Sequence, residues 1–154
     1  MVAVLDNIRS LYNVGSIFRT SDAVGIEKLY LCGITPSPLD KLGRVRPGFL
    51  KVDLGAHENV KWEKRTSTWR TIDKLKSEGY KIYAIEQSEK SVPYNRVRVD
   101  KKTALIVGHE VRGLSDAVMN RADKILEIPM SGVKESLNVS VAFGIVVYSL
   151  RYNK

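Results

Sequence analysis

A chain of 154 residues with 44% hydrophobic content can close one buried core, and its lone cysteine, Cys32, excludes an internal disulfide and fits a reducing cytoplasm. A net charge of +8 and an isoelectric point near 9.6 favour a polyanionic partner over an acidic or neutral one. A mean hydropathy of −0.17 without a long apolar run excludes a membrane span, and two histidines beside one cysteine give no zinc-ligand spacing.

The predicted elements alternate in type along the chain. Apolar runs over 2–5, 28–33, 60–62, 81–87, 103–109 and 124–130 read as strands, rich in Val, Ile, Leu and Tyr. Helices are expected over 13–24, 67–79, 115–122 and 138–152, with a weaker one over 47–55. Ser67 and Ser115 suit N-caps, and Gly79 suits a helix stop. Such alternation predicts a mostly parallel α/β sheet with helices on both faces. No repeat or low-complexity linker divides the chain, so 1–154 reads as a single domain without a separate binding module. The start, "MVAVLDNIRS", lacks the basic and apolar regions of a signal peptide.

The first helix contains "NVGSIFRT" (13–20). At 100° per residue, Val14, Ile17, Phe18, Ser21 and Val24 share one arc, and Arg19 lies about 140° from Val14. Arg19 is therefore either a solvated charge or a group reaching into a site. Asn13 is either the N-cap of this helix or a site residue. Two basic segments read as loops able to meet phosphates: 41–51, with Lys41, Arg44 and Arg46, and 90–102, with Arg96 and Arg98.

Further along, "ALIVGHEVRGLS" (104–115) ends a buried strand at Gly108, where a missing side chain lets a ligand approach the backbone. It matches neither nucleotide-binding glycine fingerprint, which disfavours a nicotinamide-dependent enzyme. Glu110 is a site acid or an ion pair with Arg112, and His109 reads as structural. In "EIPMSGVKESLNVSVAFG" (127–144), Ser136 or Asn138 should cap the last helix. That helix is apolar on two sides, with Val139, Ala142, Phe143, Val146 and Leu150 on one and Val141, Ile145 and Tyr148 on the other. A second subunit is expected to cover the surplus.

Together and in order, "NVGSIFRTSDAVG", "IVGHEVRGLS" and "IPMSGVKESLNVSVAFGIVVYSL" resemble the three signature motifs of the SpoU, or TrmH-like, class of SPOUT RNA methyltransferases. The resemblance spans essentially the whole chain. It implies methyl transfer from S-adenosylmethionine to a ribose 2′-hydroxyl of tRNA or rRNA, without a metal, by a homodimer joined through its first and last helices. It also implies a C-terminal trefoil knot. By motif position it implies catalytic roles for Arg19, Asn13, Glu110, Ser136 and Asn138. Cofactor contacts fall on Gly108, Ile128, Leu137, Ile85, Glu86, Met130 and Val139, and RNA contacts on Arg19 and the basic loops. A catalytically silent RNA-binding or assembly protein of the same fold is the alternative.

Overall fold

The computed structural model describes residues 1–153. Seven strands form one sheet in the order β3-β2-β1-β6-β4-β7-β5, every neighbouring pair parallel. They are β1 (Val2–Asp6), β2 (Lys28–Cys32), β3 (Lys61–Arg65), β4 (Lys81–Ile85), β5 (Val92–Pro93), β6 (Thr103–Val107) and β7 (Lys124–Glu127). The central β1 and β6 are buried at every residue, as expected of parallel strands covered on both faces. The edge strand β3 carries "KWEKR", and its Glu63 takes ion pairs from Lys28 at 2.7 Å and Arg65 at 2.8 Å.

One layer of helices contains α1 (Leu11–Val24), α2 (Pro47–Asp53), α3 (Ala56–Asn59) and α6 (Val139–Tyr152). Its core includes Phe18, Phe49 and Phe143, with the first two rings packed edge to face at 5.2 Å. The opposite layer holds α4 (Thr68–Ser77) and α5 (Asp116–Met119), which bury Ile72, Leu75 and Val118. The α1 arc lies as the periodicity placed it: Val14, Ile17, Phe18, Ser21 and Val24 are buried, while Arg19 is exposed.

Several boundaries differ from the sequence reading. Helix α1 starts at Leu11, and its N-cap is Ser10, whose Oγ accepts the Asn13 N–H at 3.3 Å; Asn13 is not the cap. Ser67 caps α4 through Arg70 N–H as expected, whereas Ser115 holds the cap position without a side-chain bond. The expected helix over 115–122 is a single turn, and the weak one over 47–55 is two short pieces, α2 and α3. Strands β4, β6 and β7 end two or three residues earlier than their apolar runs. The chain leaves the ladder at Glu86, Gly108 and Ile128, and the departing segments open a space over the carboxyl ends of these strands. The short β5 and the 3₁₀ turn Tyr94–Arg96 after it had no apolar run to announce them.

Candidate active site

A cavity of about 260 Å³ lies over the carboxyl ends of β4, β6 and β7, beside the start of α6. Ile85 and Glu86 line it from the end of β4, and Gly108 and Glu110 from the end of β6. Ile128 and Met130 follow β7, and Ser136, Leu137, Asn138 and Val139 lead into α6. All seven residues to which the resemblance assigns cofactor contacts thus border one cavity. Open α/β sheets bind ligands at this end.

Two glycines shape the wall. A Cβ on Gly108 would fall 2.7 Å from Leu114 Cδ2 and 2.8 Å from the Gly113 carbonyl carbon, so the chain is drawn too close here for any side chain. Gly113 has φ +64°, in the left-handed region, and a Cβ there would collide with the Glu86 carboxylate. His109 supports the same turn: its Nδ1 accepts N–H groups of Val111 at 3.0 Å and Arg112 at 3.2 Å. That is the structural role expected of it.

Glu110 ties the β6 loop to the first helix. Its Oε2 accepts Arg9 N–H at 3.0 Å, and its Oε1 accepts Ser10 N–H and Asn13 Nδ2, each at 3.0 Å. Partial burial pushes this carboxyl up, but the bonds from Arg9, Asn13 and Ser10 outweigh it and bring the pKa down to about 2. The ion pair with Arg112 does not form among the described residues; the carboxylate faces the approach to α1 instead. Asn13 Oδ1 accepts from Asn138 Nδ2 at 3.1 Å, and Asn138 Oδ1 caps α6 by accepting Ser140 N–H at 2.9 Å. One polar chain therefore joins Glu110, Asn13 and Asn138, from three distant parts of the sequence, at the cavity's edge. Ser136 also borders the cavity, but Asn138 is the cap.

Arg19 is not brought to this cavity by its own chain. It stands exposed on α1 and is not among the residues that line the space. The basic residues fall into two groups on opposite flanks of the sheet. Lys41, Arg44 and Arg46 lie between β2 and α2; Arg44 pairs with Asp40 at 3.0 Å, and Arg46 Nε donates to the Ser37 carbonyl at 3.1 Å. Arg96 and Arg98 follow β5 at the far edge, where Arg96 borders a second depression with Lys90 and Lys124. Gln87 and Ala142 also line the strand-end cavity; the sequence gives Gln87 no role and places Ala142 only on an apolar face of the last helix. Gln87 gave no signal, being one polar residue in a polar loop.

A parallel sheet with a ligand-sized cavity over its carboxyl ends is the layout of a cofactor-binding α/β domain. The chain belongs to the SpoU rRNA Methylase family, whose model matches residues 1–148. It is 35% identical over 148 residues to the tRNA (guanosine(18)-2′-O)-methyltransferase of Aquifex aeolicus, covering 96% of this chain and 67% of that one. The crystal structure of an AdoMet-bound rRNA methyltransferase from Sinorhizobium meliloti superposes with a TM-score of 0.88 at 26% identity, over 99% of this chain and 56% of that one. A structure described in connection with the 2-OH methylation of C/U34 on tRNA matches with a TM-score of 0.79 at 27% identity, over 96% of this chain and 91% of that one. Other curated relatives are longer, this chain spanning 57% of their length. The family expected from the three motifs is the family found.

Proposed function

We propose that this protein transfers a methyl group from S-adenosylmethionine to a ribose 2′-hydroxyl of tRNA or rRNA, working as a homodimer. The observation that carries the reading is the Glu110–Asn13–Asn138 chain at the edge of the cavity, in a member of a methylase family. The cavity suits an adenosyl group. Gly108 leaves backbone bare, while Ile85, Ile128 and Leu137 offer apolar packing beside the polar Glu86. When bound, S-adenosylmethionine supplies an electrophilic methyl group on its sulfonium.

The chain's own residues then have to position the hydroxyl. Arg19 is exposed on α1, and α1 packs against α6, whose outer side is apolar. A second copy docked on that side would carry its Arg19 towards the first copy's cavity. A guanidinium with a pKa above about 12 is a poor base, so Arg19 acts as a two-pronged clamp on the phosphate beside the target ribose. It thereby orients the hydroxyl and stabilises developing negative charge on its oxygen. Glu110 is a poor choice of proton acceptor, because a carboxylate with a pKa of about 2, engaged by three N–H donors, is a weak base. Its part is to hold Asn13 and α1 in place; the proton passes to the phosphate or to water. The tail from β7 through 131–138 into α6 would form the knot implied by the resemblance.

Titration calorimetry with S-adenosylmethionine tests this first, and absence of binding would remove the cavity assignment. The shared site is tested by mixing Arg19→Ala with Gly108→Ala, whose overpacked cavity wall weakens cofactor binding, at a cofactor concentration where each alone is inactive. Mixed dimers should regain activity, because one of their two sites has both an intact arginine and an intact cavity. No recovery from mixtures proven to exchange subunits would put Arg19 and the cavity in one chain's site.

A further inference from the structure

Every residue from Ser131 to Asn138 is exposed, yet Ser136 and Leu137 from this segment form part of the cavity wall. No strand or helix holds it before Asn138 caps α6. Apart from the bonds by which Asn138 caps α6, two hydrogen bonds tie it to the rest of the protein among the described residues. Asn138 Nδ2 donates to Asn13 Oδ1 at the helix end, and Gln87 Nε2 donates to the Glu135 carbonyl at 2.7 Å in the middle.

Gln87 stands on a firm base. Its backbone N–H donates to Glu86 Oε1 at 2.9 Å, and Glu86 Oε2 accepts Leu114 N–H at 3.1 Å. Glu86 N–H in turn donates to the Leu126 carbonyl at 3.1 Å, which locks this end of β4 to β7. Two residues therefore brace both sides of the cavity: Glu86 holds the glycine turn after β6, and Gln87 reaches across to the 131–138 segment. We infer that Gln87 is a positioning residue for the cofactor, fastening this roof to the end of β4 and so setting how tightly the adenosyl group is retained. The inference rests on the reading of the cavity as the S-adenosylmethionine site.

Two variants test it, Gln87→Ala and the nearly isosteric Gln87→Glu, which keeps the shape but has no N–H donor. In the unliganded protein, trypsin should cut after Lys134 faster in both than in wild type, as mapped by mass spectrometry. Calorimetry should show the S-adenosylmethionine Kd raised about five- to tenfold in both, the loss of one ordinary hydrogen bond, with the thermal midpoint unchanged. Wild-type cleavage in both variants would overturn the fastening role. Faster cleavage with unchanged affinity would overturn the link to the cofactor. A wild-type protein that fails to bind S-adenosylmethionine would refute the cavity assignment, while the trypsin rates would still decide whether Gln87 holds the roof.

Discussion

Glu110 is engaged by the start of α1 and not left free in the cavity. Its carboxylate is pinned by N–H donors on both sides of the α1 start, which holds its pKa near 2, below its ordinary value of 4.5. A carboxyl with a lowered pKa in the folded state stabilises the fold above its unfolded pKa. It loses that contribution as pH falls through the folded value. Glu110→Gln should therefore lower the thermal midpoint at neutral pH, and the gap from wild type should close as pH falls from about 4.5 towards 2. A gap independent of pH over that interval would mean that the charge does not hold α1. The group is largely exposed, so solvent screening keeps the effect modest.

Arg19 is the opposite case, an exposed side chain that makes no hydrogen bond or ion pair among the described residues. Arg19→Ala should abolish methyl transfer, measured as label incorporated into RNA, while the S-adenosylmethionine Kd stays within a few-fold. Undiminished turnover would remove this guanidinium from the mechanism. Asn13 was the residue most easily misread. A polar side chain at a helix start fits a cap, but Ser10 was already close enough to cap α1. That frees both ends of the Asn13 amide, one to donate to Glu110 and one to accept from Asn138.

At the scale of elements, the buried strands and amphipathic helices were legible because burial imposes periodicity. β1, β6, α1 and α6 all lie within two residues of where their apolar patterns put them. The loops were less legible, since nothing in a local pattern says which strand ends will meet. Gly108 could be singled out as a close approach; that Gly113 and Leu114 are its neighbours depends on how the loop folds back. The bond from Gln87 to Glu135 spans 48 positions and left no trace in spacing. The three motifs named a family and, through it, the cavity residues. The geometry adds which of those residues hold one another.

Gly108→Ala follows from that geometry. The new methyl would press on the Gly113 backbone, which cannot swing aside as a flexible side chain could. Overpacking of this kind costs about 1–3 kcal/mol. The variant should melt earlier and bind S-adenosylmethionine more weakly, as read by calorimetry. Unchanged affinity would place the ligand away from this wall.

For the whole molecule, the question is what covers α6. Its Phe143 is fully buried in the chain's own core, along with Val146 and Leu150. Phe143 thus belongs to folding, and substitutions there report on the core rather than on association. The other side is open: Val141 is 49% exposed and Tyr148 43%, with Tyr12 of the adjoining α1 at 61%. Apolar side chains gathered on two packed helices suit a second copy of the same surface. Tyr148→Glu should give a folded monomer by light scattering, with methyl transfer lost because no neighbouring Arg19 is supplied. An active monomer would end the two-copy account. The net charge of +8 belongs to this scale too, and the five basic-loop residues it includes, Lys41, Arg44, Arg46, Arg96 and Arg98, stand near the two opposite edges of the sheet.

The most direct test is the position of the transferred methyl. RNA from cells lacking the gene would be incubated with the purified protein and methyl-labelled S-adenosylmethionine, then digested to nucleosides and separated. The label should elute in a 2′-O-methylated nucleoside and should be absent when Arg19→Ala replaces the wild type. Label found only on a base, or none taken up with any tRNA or rRNA fraction, would contradict the account.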